Sequence, residues 1–298
     1  MQGRSPACSE TPAGALAPHA FYCCKLSIHM QLIDTHAHIC FDSYDEDREV
    51  MMQRAYDAGV VKLVHPCCNL GEFGCLEELS KQYDGDKKIN LYMSVGVHPC
   101  DIKKWDDSSF DLMDDLLKSS LEPGSKIKAV GETGLDYYHC TEPAEQARQR
   151  QIFQDQITLA LKYKLPVIVH TRDAWEDTLK ILQENFKEGS LDNGTIHCYT
   201  GDLDFAEAVM KIGFCVSWGG VLTYKKNSNF RDFAGSLDLS KVLLETDCPF
   251  LAPQANRGKR NEPSFMTEIA QVLADCYHIS VEELAGKSTE NAERLFKI

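Results

Sequence analysis

Eight short apolar, β-branched runs, separated by longer stretches with helical spacing, constrain this chain more than anything else in it. The runs are Leu32 to His36, Val60 to Pro66, Leu91 to His98, Ile127 to Glu132, Val167 to His170, Thr195 to His197, Phe214 to Trp218 and Val242 to Thr246. Short apolar runs of this kind suit strands buried on both faces of a sheet. Between most of them, over 45–58, 72–83, 109–120, 143–164, 173–187 and 202–212, and again over 264–277 after the last run, polar and apolar residues alternate with helical spacing. Strands alternating with helices predict a parallel sheet with right-handed crossovers, and eight such units predict closure into a (β/α)8 barrel, the TIM-barrel form of the α/β class. The link 219–241 is the least regular, and Lys225, Lys226 and Asn227 read as loop. An open doubly wound sheet is the competing architecture, but it should carry a glycine-rich phosphate turn after its first strand, where this chain has DTHAH.

The 298 residues, 43% hydrophobic and 26% charged, fit one large α/β domain with ample apolar material for a core. Residues 1–29 differ: small residues, prolines, few charges and no clear periodicity. They match neither a secretory signal nor a transit peptide and read as a disordered extension, with the barrel domain over 30–298 and Met30 a candidate start of the functional domain. Thirteen cysteines scattered without paired spacing read as reduced thiols in an intracellular, cytoplasmic protein. No window approaches the roughly 18 apolar residues of a membrane span, so no membrane association is expected. The net charge of −14 would repel a nucleic-acid backbone. A phosphodiester substrate would therefore need a local reversal of field, from bound divalent cations helped by Arg257, Lys259 and Arg260.

In a closed barrel the active site lies at the C-terminal ends of the strands. The first run ends in His36 and His38, whose i, i+2 spacing points both imidazoles to one side of a strand. The third ends in GVHP with His98, the fourth in GETGLDY with Glu132, the fifth in VHTR with His170 and Arg172, the sixth in HCYTG with His197, and the eighth in ETDCP with Glu245 and Asp247. Each has an ordinary explanation alone: a single histidine at a strand end is more often an exposed or satisfied side chain, and an aspartate before Cys-Pro is a turn former. Five of the ten histidines at the same end of the predicted strands reverse that reading. His65 ends the second run but is left out, because the adjoining PCCN supplies no oxygen ligand.

Neutral imidazoles and carboxylates suit borderline divalent metals such as Zn²⁺, Mn²⁺ or Co²⁺, and the absence of cysteine among the strand-end groups argues against a thiolate structural site. Two metals ~4 Å apart can share a bridging carboxylate, activate water at neutral pH and stabilise both oxygens of a phosphoryl displacement. Glu132, across the barrel from His36 and His38, is placed to be that bridge. Asp247 neighbours the first strand once the barrel closes, and can reach the same metal and take a proton from the water.

The motifs DTHAH, GVHP, GETGLDY, LPVIVHTRDA, HCYTG, ETDCPFLAP and RGKRNEP stand in the order and at about the spacing of the TatD family of metal-dependent deoxyribonucleases, and this resemblance covers residues 31–298. It implies a TIM barrel with two divalent cations (Mg, Mn or Zn) and a 3′ to 5′ exonuclease acting on single-stranded DNA in DNA catabolism or repair. It implies that His36, His38, Glu132 and Asp247 surround one metal, and Glu132, His170 and His197 a second. His98 would contact phosphate or water, and Arg172, Arg260, Asn261 and Glu262 would be substrate-side or supporting groups. The departures from the family pattern are peripheral, at Cys100, at Cys248 and at His139 with Cys140.

The leading expectation is therefore a metal-dependent deoxyribonuclease that uses activated water with Asp247 as general base, DNA as its partner and no obligate protein partner. The alternative is a hydrolase of a small ester, lactone or amide with the same metals acting on a carbonyl. Amidohydrolases of that kind often bridge their metals with a modified lysine from the fourth strand; here that strand ends in Glu132, and Lys128 lies toward its other end. Phe41, Tyr137 and Trp218 are strand-end aromatics that could stack on bases or simply pack. A non-catalytic barrel would have lost a ligand, and none is lost.

Overall fold

The computed structural model describes residues 30–83, 85 and 88–298; the extension read over 1–29 lies outside the described residues. Eight parallel strands follow one another around the sheet in chain order: β1 (Leu32–Asp34), β2 (Val60–His65), β3 (Asn90–Val95), β4 (Ile127–Asp136), β5 (Val167–Arg172), β6 (Gly194–Ile196), β7 (Phe214–Trp218) and β8 (Val242–Leu244). The fold is a (β/α)8 barrel. Its last seam is drawn by β8 meeting β1: the Thr35 N–H donates to Leu244 O (3.1 Å), the Asp247 N–H to His36 O (2.9 Å) and the His38 N–H to Cys248 O (2.8 Å). Asp34 strengthens the seam. Its buried carboxylate accepts from the Thr246 hydroxyl (2.6 Å) and N–H (3.0 Å); burial pushes Asp34 up to about 7, against the Thr246 hydrogen bonds that favour its charged form.

Each predicted run holds a strand, but β2 stops one residue short, at His65, and β1, β3, β6 and β8 stop before their predicted polar ends, at Asp34, Val95, Ile196 and Leu244. The polar residues expected at strand ends therefore stand just beyond them, where the backbone is free to turn a side chain over the barrel mouth. Helices fill the predicted intervals: α1 (Arg48–Asp57), α2 (Phe73–Gln82), α3 (Ser109–Lys118), α4 (Pro143–Tyr163), α5 (Trp175–Asn185) and α6 (Leu203–Lys211). Local signals explain their ends. Proline opens α4 where a missing N–H costs nothing, and the Asp202 carboxylate accepts the Phe205 N–H at the start of α6. The irregular link is not all loop: it contains α7 (Ser228–Ala234), before α8 (Met266–Tyr277). Beyond 277 the chain continues into an unanticipated α9 (Val281–Phe296), capped by the Ser280 hydroxyl accepting from the Glu283 N–H (3.1 Å).

α9 has a structural purpose. Its Ala292, Leu295 and Phe296 pack with Ile33, Val64, Ala129, Ile168, Cys215 and Leu243, one residue from each of six strands, in a small inner cluster. Each fully buried Ile, Leu, Val or Phe there contributes roughly 1.5–3 kcal/mol. A dry lower barrel leaves the opposite end for polar chemistry. The larger core lies between the sheet and the surrounding helices. Where β3 runs into the mouth, Gly96 lies so close to Gly131 that a Cβ would sit 2.4 Å from the Gly131 carbonyl carbon, and Gly131 itself has φ +133°. That close approach positions the next residue, Glu132. No helix among the described residues is long and apolar enough to cross a membrane.

Candidate metal centre

Glu132 is the hub of the barrel mouth. It is buried, its N–H donates to Cys67 O (2.9 Å), and its two carboxylate oxygens face different partners. Oε2 lies 3.2 Å from His36 Nε2 and 3.7 Å from His38 Nε2. Oε1 lies 2.9 Å from His197 Nε2, 3.1 Å from His170 Nδ1 and 3.2 Å from His98 Nε2.

On the Oε2 side, the Nε2 atoms of His36 and His38 are 3.1 Å apart, as their shared strand face predicts. Asp247 completes this side, with Oδ1 3.5 Å from His38 Nε2 and 3.8 Å from His36 Nε2. Its backbone is left-handed (φ +56°), a region aspartate enters more readily than most residues and one that recurs at functional sites. Asn261 holds the turn from behind, its amide donating to Thr246 O (2.8 Å) and Phe250 O (2.6 Å).

On the Oε1 side, His170 Nδ1 and His197 Nε2 are 3.1 Å apart. The far nitrogen of each ring meets a carboxylate: His170 Nε2 is 3.3 Å from Asp136 Oδ2, and His197 Nδ1 is 3.6 Å from Glu245 Oε1. Glu245 is fully buried, and its Oε1 accepts the Cys198 N–H (2.6 Å). Sequence reading gave no role to Asp136, although it follows Glu132 at i+4 in β4 and therefore shares its face. It also passed over Cys68, whose Sγ is 3.8 Å from both His38 Nδ1 and Glu132 Oε2.

The mouth opens into a cavity of about 670 Å³ lined by His38, His98, Glu132, His170, His197 and Asp247 among others, with His36 sealed beneath it. His98 Nδ1 accepts the Cys100 N–H (3.1 Å), which assigns the ring proton to Nε2, facing Glu132 and the cavity. Arg172 lines the cavity with its guanidinium 3.8 Å above the Tyr138 ring. Arg260 and Asn261 do not line it. Arg260 forms a fork on Asp47 (2.8 and 2.7 Å) above the Tyr44 ring, and Asn261 is fully buried in the turn it braces. Within the basic RGKR stretch, Arg260 is tied to a partner far away in sequence, Arg257 lies over the Tyr224 ring and Lys259 bonds the nearby Asn256 (3.2 Å). His65 is also structural, accepting the Cys40 N–H (3.1 Å). Trp218 is wholly buried against Tyr199, Phe230 and Phe233, and the Tyr137 hydroxyl donates to Asp177 (2.6 Å). Phe41 remains exposed at the rim.

The donor set fits divalent cations. Burial alone would raise Glu132 and Asp247, yet the surrounding imidazoles hold Glu132 well below the carboxylate range and Asp247 below its usual value. Burial likewise opposes charge on the rings, but Asp136 and Glu132 pull His170 up, and Glu132 with Glu245 pulls His197 well up. The centre is therefore an anionic cage that demands positive charge between pairs of nitrogens about one coordination edge apart. His36, His38, Glu132 and Asp247 would hold one cation, and Glu132, His170 and His197 another.

Residues 33–297 match the family described as TatD related DNase. The chain belongs to the TatD family. It is 36% identical to the uncharacterized metal-dependent hydrolase YabD of Bacillus subtilis over 269 residues, 90% of this chain and 99% of the relative. The crystal structure of the TatD homologue YjjV from Escherichia coli superimposes with a TM-score of 0.81 at 30% identity, covering 91% of this chain and all of that one. A Pantoea vagans relative named 3′-5′ ssDNA/RNA exonuclease TatD is 29% identical over 272 residues, 90% of this chain and all of the relative. Within the TatD family, this chain is a metal-dependent hydrolase.

Proposed function

We propose that this TatD-family hydrolase is a two-metal nuclease that cleaves phosphodiester bonds of single-stranded DNA from the 3′ end. The reading rests on one observation: the two oxygens of Glu132 face separate imidazole groups, His36 and His38 on one side and His170 and His197 on the other. A carboxylate so placed would hold two cations together with those imidazoles, and such cations would supply Lewis acidity to the phosphoryl oxygens and to water. Asp247, held below its usual value beside the His36 and His38 pair, would be the group that accepts a proton from the attacking water. His98, donating from Nε2, and Arg172 orient the nonbridging phosphate oxygens.

The net charge of −14 disfavours long electrostatic contact with a polyanion. Stacking takes its place. Phe41 (41% exposed) and Phe250 (48% exposed) meet edge to face at 5.3 Å on the cavity rim, presenting apolar surface to an unpaired base. A double helix would hide that face of its bases. The name of the Pantoea relative, a 3′-5′ ssDNA/RNA exonuclease, supports the same polarity and a nucleic-acid substrate of this kind, RNA included.

The test is a time course on end-labelled single-stranded DNA, double-stranded DNA and RNA across Mg²⁺, Mn²⁺ and Zn²⁺, with Asp247→Asn as control. A ladder shortening from the 3′ end, fastest on single-stranded DNA and lost in the variant, is expected. A 5′ ladder overturns the polarity. Turnover of an ester or lactone with nucleic acid untouched replaces this reading with carbonyl hydrolysis.

A further inference from the structure

We propose a third cation site at the rim of the cavity, built from Cys100, Asp136 and His139 and suited to Zn²⁺ or Co²⁺ rather than Mg²⁺. Asp136 Oδ2 is where metal-competent atoms converge: His139 Nδ1 at 2.8 Å, His170 Nε2 at 3.3 Å and Cys100 Sγ at 3.6 Å. One donor atom each from Cys100, Asp136 and His139 lies within 4.8 Å of the other two. A tetrahedral cation with bonds of roughly 2.0–2.3 Å to N, O and S needs ligand atoms spaced about this far apart.

The carboxylate is fixed for the purpose. Asp136 is buried, its N–H donates to Gln149 Oε1 (3.0 Å), and its Oδ1 accepts the His139 N–H (2.8 Å), so Oδ2 is the oxygen left to the rim. Cys100 and His139 are exposed, which gives a cation an entry path and leaves a fourth position to water. Sulfur is one of the converging atoms here, 3.6 Å from Asp136 Oδ2, whereas in the central site Cys68 Sγ stands 3.8 Å from Glu132 Oε2 and faces the far nitrogen of His38. A thiolate favours Zn²⁺ or Co²⁺, whereas an oxygen-seeking Mg²⁺ gains nothing from it. On binding, the S–H and any imidazolium N–H protons pass to solvent, Sγ, Nδ1 and Oδ2 bond to the cation, and nothing is oxidised or reduced.

Occupancy is coupled to the central site through Asp136. A cation drawing on Oδ2 weakens its hold on His170 Nε2, so excess Zn²⁺ slows the wild-type enzyme and slows Cys100→Ser less. The binding test itself uses no activity. Metal-stripped protein is titrated with Co²⁺ while absorbance is followed. Wild type is expected to develop a near-ultraviolet thiolate-to-cobalt band that Cys100→Ser removes, that His139→Ala shifts to at least about tenfold higher Co²⁺, and that Cys68→Ser and Cys140→Ser retain. The visible bands of cobalt in the imidazole centre persist in all four variants and report that they are folded. No near-ultraviolet band in wild type, or one kept in Cys100→Ser and lost in Cys68→Ser or Cys140→Ser, overturns the proposal.

Discussion

The two sides of Glu132 solve the same problem by different means. On the β1/β8 side, two imidazoles come from one strand end, and among the described residues no acid stands behind them: His36 Nδ1 is buried with no hydrogen-bond partner there, and His38 Nδ1 faces the Cys68 sulfur at 3.8 Å. What fixes this side is the barrel seam, through the His36, His38 and Asp247 main-chain bonds. On the β5/β6 side, the imidazoles come from separate strands, and each has a carboxylate behind it: Asp136 Oδ2 3.3 Å from His170 Nε2, and Glu245 Oε1 3.6 Å from His197 Nδ1, a charge contact longer than a hydrogen bond. A backing carboxylate fixes the ring and raises its basicity, so this side is built to hold a cation. Under the proposed function, the other side, with Asp247 in front and Phe41 and Phe250 at its rim, is where reaction and substrate contact would take place.

The largest effect tests what the sides share. Glu132→Gln should remove both cations, measured as metal per chain, and lower kcat by on the order of 10⁴-fold. Asp247→Asn keeps the shape and the tolerance of a left-handed backbone but removes the base. It should cost kcat ~10³-fold with KM nearly unchanged, and leave the β5/β6 cation in place. Loss of both cations in this variant would mean that the two sides are one cooperative site.

Asp136→Asn and Glu245→Gln act on the other side alone, and each should weaken metal binding by roughly 10–100-fold, with activity restored by excess metal. The pH dependence follows. His170 and His197 are held above the ordinary histidine value by Glu132, Asp136 and Glu245, and a cation must displace their protons. Metal loading on this side should be complete at high pH and fall as pH drops through those raised values, beginning above ~6.5. Each backing variant should move that fall to lower pH, read by calorimetric metal titration at several pH values. A smaller effect is expected at the rim. Removing both Phe41 and Phe250 rings should raise KM for an oligonucleotide roughly tenfold, given ~1–3 kcal/mol per stacked base. A chromogenic phosphodiester without a base should show no change.

The sheet and its strand-end groups were legible because both depend on local pattern: β-branched runs mark strands, and the fold rule brings their ends together. Asp136 was legible in principle, four residues after Glu132 on the same face, but its partner His170 is 34 residues away and no motif links them. α9 was missed for another reason. Its buried face includes Ala285, Ser288, Asn291 and Ala292, which blur the apolar stripe although their spacing is helical. The Asp47 fork on Arg260 was not legible because the two residues are 213 apart in sequence, while the basic cluster around Arg260 reads locally as a phosphate contact.

The smallest predicted effects ask whether that segment braces the β1/β8 side or reads substrate. Asn261 is buried with both amide hydrogen bonds made to the Asp247 turn, so Asn261→Ala should cost about 1–3 kcal/mol of stability and lower kcat by loosening Asp247. Arg260 and Asp47 are about one-third exposed, and the fork between them holds Asp47 down at about 2. Solvent screens such a pair, so Arg260→Ala should cost only about 0.5–1 kcal/mol, measured by denaturant unfolding. Because the guanidinium is already engaged, KM for single-stranded DNA should stay within about twofold and its salt dependence should not change. A rise in KM with a salt slope shallower by about 0.7, the signature of one lost contact to a single-strand phosphate, would show that Arg260 leaves Asp47 for the substrate. The reacting side of the centre would then bind the backbone as well as the base.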